Sequence, residues 1–115
     1  MTKTLYGIKA CDTMKKARNW LDDKGIAYDF HDYKKEGVPA ERLKAWAAKA
    51  GWEKLCNSRG PTWRKIPDAE KVGLDEQKAL RLLCKYPSAI KRPVAEAGVR
   101  LQVGFEPDAF SRLLK

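Results

Sequence analysis

Among the 115 residues, Cys11 has the address of a reactive thiol. It stands in Thr4-Leu-Tyr-Gly-Ile-Lys-Ala-Cys11-Asp-Thr-Met-Lys-Lys, where a short apolar strand turns straight into a helix, so the sulfur falls at a helix N-terminus. The first helical turn presents unpaired N–H groups and the positive end of the dipole, and both favour a thiolate over a thiol. A helix end is worth about 0.3–2 kcal/mol and one pKa unit about 1.4 kcal/mol, so the dipole alone lowers the thiol pKa by about one unit. Lys9, Lys15 and Lys16 add positive charge to that field, and Thr13 either caps the helix or steadies the thiolate through its hydroxyl and N–H. The chemistry on offer is nucleophilic attack by sulfur.

The remaining candidates read more blandly. A cysteine without such an address is usually a small buried hydrophobe. Cys84, among Leu80, Leu82 and Leu83, is expected in the core; Cys56 follows Leu55 and is expected to be buried too, with a role as resolving thiol as the lesser reading. His31 falls in a strand with no triad partner implied. Trp20, Trp46 and Trp52 sit at helical positions and are expected to pack, whereas Trp63 shares a loop with Arg59 and Arg64 and could wall a cleft. No C-x-x-C pair and no Cys/His cluster suggests a metal site, so none is expected.

Size and composition bound the rest. A chain of 115 residues is expected to form one domain over residues 1–115, able to bury a core without staples. No apolar run approaches the roughly 20 residues needed to span a bilayer, and no signal-like segment opens the chain. Three cysteines without paired spacing fit a reducing compartment, so a cytoplasmic location is expected. The net charge of +9 is either a solvated surface or an attraction for anions: nucleic acid, phosphate-like oxyanions or an anionic tripeptide such as glutathione. Because the basic residues are scattered, nucleic acid is not the expected partner, and no membrane is.

The elements that must position Cys11 are legible in order. A strand is expected over residues 4–8, a helix over 12–24 with Met14, Ala17, Trp20 and Leu21 at helical spacing, and a strand over 26–33. A β-α-β unit of this kind places its strands parallel. Pro39 opens a helix to about Lys49, a short helical turn follows over 52–57, and Gly60, Pro61 and Pro67 mark 58–67 as loop with at most brief regular structure. A helix over 75–85 ends before Pro87, a hairpin turns at Gly98, and 107–114 closes the chain as a helix. Strand, cysteine-led helix, parallel strand, then a proline-led hairpin and a last helix is the plan of a thioredoxin-like domain.

Three ordered motifs carry a resemblance: Gly7-Ile-Lys-Ala-Cys11-Asp-Thr-Met-Lys-Lys-Ala17, Asn57-Ser-Arg-Gly-Pro-Thr-Trp-Arg-Lys65 and Ile90-Lys-Arg-Pro-Val94. Together they resemble the arsenate reductase (ArsC)/Spx family, and within it the YffB branch, over nearly the whole chain. The resemblance implies an α/β thioredoxin-like fold, βαβ then ββα with a mixed four-stranded sheet and a helical insertion at about 38–88. It implies Cys11 as the nucleophile, Arg92-Pro93 as an Arg-Pro pair with a cis proline and the arginine facing the cysteine, and Arg59 in a loop able to approach it. Guanidinium groups grip carboxylates and oxyanions in two-pronged geometry.

The chain also departs from the family pattern. Gly7 stands where arsenate reductases carry a histidine, and Asn57 and a position near Val103 stand where they carry oxyanion arginines. Cys11-Asp-Thr-Met14 replaces the C-x-x-C of redox-sensing Spx members. The chemistry expected is therefore monothiol: Cys11 attacks a disulfide or mixed disulfide of a small molecule or protein, and an external thiol resolves the adduct. Glutathione is the expected partner and co-substrate, meeting Lys9, Thr13, Arg59, Arg92 and Pro93, with no bound cofactor, in a monomer. Arsenate reduction, or a non-catalytic Spx-like role on RNA polymerase, is the alternative.

Overall fold

The computed structural model describes residues 3–9 and 11–114. The chain divides into two compact units, one of residues 1–36 with 92–115 and one of residues 37–91.

The first unit carries the sheet. Strand β1 (Lys3–Gly7) leads through a turn to helix α1 (Asp12–Asp23), which returns to strand β2 (Asp29–Asp32), followed by the single-turn helix α2 (Tyr33–Glu36). After the second unit, strands β3 (Val94–Ala97) and β4 (Arg100–Val103) form the hairpin and a helix over Pro107–Leu114 ends the unit. The strand order is β2-β1-β3-β4, with β1 and β2 parallel and the other pairs antiparallel. This is the mixed four-stranded, thioredoxin-like sheet expected from the order of elements. Gly98 takes φ 65°, the positive value a two-residue hairpin needs at its first central position.

Apolar burial at helical spacing fixes α1 on the sheet. Met14, Ala17 and Leu21 are fully buried and pack with Leu5, Ala95, Ala97 and Phe110. Each fully buried Leu or Met side chain contributes about 1.5–3 kcal/mol. Trp20, half-buried, meets Phe110 edge to face at 5.9 Å, and Cys11 borders the same cluster. Strand β2 is shorter than its alternating pattern suggests, because Tyr33 leaves the strand and starts α2. That turn is held by the Lys34 N–H, which donates to Asp32 Oδ1 at 2.9 Å, and by the Asp32 N–H, which donates to Glu36 Oε2 at 3.1 Å.

The second unit is helical: α3 (Ala40–Ala50), α4 (Trp52–Leu55), α5 (Pro61–Lys65), α6 (Asp68–Lys71), α7 (Glu76–Lys85) and a 3-10 turn over Pro87–Ala89. Leu43, Trp46 and Ala47 of α3 and Ala79, Leu82 and Leu83 of α7 are its buried faces. Asp75 caps α7 by accepting from the Lys78 N–H at 2.9 Å. The chain is joined again near its exit, where the Lys91 N–H donates to the Leu55 carbonyl at 2.7 Å and the Asn57 N–H to the Ala89 carbonyl at 2.8 Å.

The brief regular structure within 58–67 is α5, where Pro61 sits in the first helical turn, its missing N–H costing nothing and its fixed φ already helical. One expectation fails here. Cys84 is exposed rather than core, because the buried face of α7 runs through Ala79, Leu82 and Leu83 and leaves it outside. Trp46 is buried as expected, and Trp20, Trp52 and Trp63 are half-buried.

Candidate active site

Cys11 is itself the N-cap of α1, with extended backbone at φ −88° and ψ 134°. Its N–H donates to the Ile8 carbonyl at 3.2 Å and its own carbonyl accepts from the Lys15 N–H at 3.0 Å, so the turn after β1 and the first turn of α1 meet at this residue. Thr13, expected either to cap the helix or to steady the thiolate, lies inside the first turn and is not the cap. The N–H groups of Thr13 and Met14 face the sulfur, yet none makes a capping hydrogen bond of full geometry. Their pull is that of aligned dipoles at longer range.

Two opposed influences set the ionisation of Cys11. Burial is the largest and pushes the thiol up. The Met14 N–H, the Arg92 guanidinium through both a hydrogen bond and its charge, and the Thr13 N–H outweigh it together and hold the pKa below its ordinary value. The effective cation is thus Arg92, whereas Lys9, Lys15 and Lys16 are exposed and their fields are screened by water. This corrects the weight given to the lysines.

Arg92 is half-buried and precedes Pro93, which is fully buried behind a cis peptide bond, as the resemblance implied. The Pro93 carbonyl accepts from the Gly104 N–H at 2.8 Å, which ties the pair to the end of the hairpin. The first unit therefore brings together Cys11, Thr13, Arg92 and Pro93, with Lys9 exposed in the turn just before the thiol. Arg59 belongs to the unit of residues 37–91, where it is exposed and lines a cleft of about 410 Å³ with Lys54, Cys56, Asn57 and Lys91.

The other thiols differ from Cys11 in kind. Cys56 is buried, and burial followed by the nearby Glu53 pushes its pKa up to about 11, so it stays protonated near neutral pH. Cys84 is also pushed up by partial burial. Among the described residues no group of three or more His, Cys, Asp or Glu is placed to hold a metal ion. No helix among them is long and apolar enough to cross a membrane.

Two features of the site escape a sequence reading. Gly7 lies against α1 so closely that a Cβ would meet the buried Met14 side chain at Sδ and Cε, so a side chain at this position requires Met14 to shift. Tyr33, read as a strand residue, is instead a buried phenol at the C-terminal end of β2, and it feels the Arg92 charge as Cys11 does. Its signal was the end of the β2 alternation beside Asp32. The His31 ring meets it edge to face, with ring centres 6.0 Å apart, and His31 Nδ1 lies 3.9 Å from Glu36 Oε2.

Known proteins share this fold. The solved structure of the protein YFFB is 55% identical, has a TM-score of 0.95 and covers 99% of this chain and 100% of its own. An arsenate reductase (ArsC) related protein from Brucella melitensis is 49% identical with a TM-score of 0.77, covering 97% of this chain and 93% of that one. The global transcriptional regulator Spx of Enterococcus faecalis is 32% identical over 116 residues, 96% of this chain and 85% of the regulator. Residues 6–113 match the family model described as the ArsC family, and the chain belongs to that family.

Proposed function

We propose that the protein is a glutathione-dependent monothiol reductase of disulfides and mixed disulfides, with Cys11 as its nucleophile. The observation that carries this reading is the pairing of an N-cap thiol, held below its ordinary pKa, with the Arg92 guanidinium. A thiolate at neutral pH is the attacking form.

In the first step the Cys11 thiolate attacks the glutathionyl sulfur of a mixed disulfide. A disulfide bond forms between Cys11 and glutathione, the substrate's own S–S bond breaks, and the departing thiolate takes a proton from water. A second glutathione thiolate then attacks the glutathionyl sulfur of the adduct, releasing oxidised glutathione and restoring the Cys11 thiolate. The substrate gains two electrons and glutathione supplies them.

Arg92 and Lys9 are assigned to the carboxylates of glutathione, Thr13 to the sulfur through its N–H, and the backbone at Pro93 to the peptide part. Arg59 takes a share in anion binding on the family resemblance. No resident cofactor is needed, and glutathione is a co-substrate. A cytoplasmic monomer suits this chemistry. Cys56, protonated and buried, is poorly suited to resolve the adduct, which favours an external thiol. Arsenate is the less favoured substrate, because Met14 fills the space a histidine at position 7 would need.

A docking role without catalysis is the second reading, favoured by the 32% identity to a protein named as a transcriptional regulator. The two separate on one experiment: incubation with oxidised glutathione, followed by mapping of any adduct by mass. An adduct confined to Cys11 supports the reductase. Labelling only at Cys56 or Cys84, or none, overturns it.

A further inference from the structure

Arg18 carries a guanidinium that the fold holds in place without giving it an anion. Its central carbon lies 5.1 Å from the centre of the Phe30 ring, within reach of a cation–π contact, and Phe30 is itself packed against the core beneath α1. The Arg18 Nε is buried, and among the described residues no acceptor meets it. Asp22, one turn further along α1, has the spacing of a helical ion pair, yet the two side chains do not pair. A buried donor without an acceptor is a cost that a solvated arginine would avoid.

A cleft of about 260 Å³ opens beside this side chain, lined by Lys15, Arg18, Asn19 and Asp22. At 3.6 residues per turn, Cys11, Lys15, Arg18 and Asp22 fall in one row along α1, so the cleft begins one turn below the thiol. The row reads thiol, cation, cation, carboxylate. Asp22 repels an anion from the far end, which leaves the two cations to hold one on the side toward Cys11.

We infer that Lys15 and Arg18 form a subsite for an acidic residue of a peptide substrate, near the cysteine whose disulfide Cys11 attacks. The inference rests on the reading of Cys11 as the nucleophile and adds a substrate class to it. The seven residues from Cys11 to Arg18 rise about 10 Å along the helix, and an extended peptide advances about 3.3 Å per residue, so the acidic residue lies about three positions from the substrate cysteine. The guanidinium fork takes a carboxylate in two-pronged geometry, and its seat on Phe30 orders it before the substrate arrives. Phe30 is thereby a positioning residue.

The test needs neither glutathione nor turnover. In a Cys84→Ser background, the protein is mixed with peptides whose single cysteine is activated as its 2-thiopyridyl disulfide, with glutamates or glutamines about three positions from that cysteine. The Cys11 thiolate attacks the peptide sulfur, a disulfide bond forms between them, the bond to the pyridyl sulfur breaks, and 2-thiopyridone leaves with a proton from water. Its absorbance gives the rate, and mass places the adduct. The glutamate peptide should react about fivefold faster than the glutamine peptide. Arg18→Gln should abolish most of that preference, Arg18→Lys should restore part of it, and Phe30→Leu should lower it with the charge intact, all with little change in the glutamine rate. Lys16→Gln is the control for overall charge, because Lys16 is nearer to Cys11 in the chain but off the row, and the preference should survive there. Equal rates for the two peptides, or equal losses in Arg18→Gln and Lys16→Gln, overturn the subsite. Failure of both peptides to react at Cys11 overturns instead the reading of Cys11 as the nucleophile, and the subsite with it.

Discussion

Arg92 hydrogen-bonds Cys11 and adds its charge to the thiolate, although the two residues enter the site from opposite ends of the chain. The helix dipole is supplied locally, by the residues just after the thiol. The cation is supplied by the fold, through the pairing of β1 with β3.

Removal of that cation is expected to raise the Cys11 pKa. Arg92→Ala loses both a hydrogen bond and a charge, so the thiolate fraction at any pH well below the pKa should fall. Arg92→Lys should recover part of the effect, because an ammonium keeps the charge without the planar fork. Thiolate absorbance against pH, or the rate of alkylation at fixed pH, reports the shift. An unchanged Cys11 titration in Arg92→Ala would remove Arg92 from the account.

Stability should follow the same linkage. The folded pKa of Cys11 is depressed, so the stability it contributes is fully present above the unfolded thiol value of about 8.5 and is lost as pH falls through the folded value. Cys56 works in the other direction: its folded pKa is raised to about 11, so its contribution is present below about 8.5 and fades as pH rises toward that folded value. Between the folded Cys11 pKa and about 8.5, the reduced protein should therefore gain Tm relative to a Cys11→Ser variant. Parallel Tm-against-pH curves for the two proteins would contradict this.

The approach of Gly7 to Met14 sets a steric prediction. Gly7→Ala places a methyl group on the Met14 side chain and should cost about 1–3 kcal/mol, as overpacking does. In Gly7→Ala with Met14→Ala the two costs should not add, because the shortened side chain leaves room for the new methyl. Urea denaturation of the single and double variants measures the coupling, and strict additivity would show that the two side chains do not compete for space.

How much of this was legible in the sequence follows from how local each cause is. Met14, Ala17 and Leu21 announce α1 and its buried face because helical periodicity is a property of neighbours, and the place of Cys11 at the start of that helix follows from the same stretch. The spacing of Ala79, Leu82 and Leu83 carried the orientation of α7 as well, but the run of apolar residues around Cys84 hid the fact that it falls off that face. Pro61 marked a loop that could hold only brief regular structure, and the short helix it begins was not placed, since one residue type both breaks and opens helices. Arg92 and Tyr33 are tertiary neighbours of the site. Local pattern has no access to them, and Arg92 was found only through a motif resemblance.

The central claim is that one thiolate, Cys11, carries the chemistry. Its most direct measurement is turnover of a mixed disulfide between glutathione and a small thiol, with reduced glutathione supplied, by the wild-type protein and by Cys11→Ser, Cys56→Ser and Cys84→Ser. Cys11→Ser should reduce the rate to that of the uncatalysed exchange, and the other two variants should retain most of the activity. Undiminished turnover by Cys11→Ser, or loss of turnover in Cys56→Ser alone, would contradict the account.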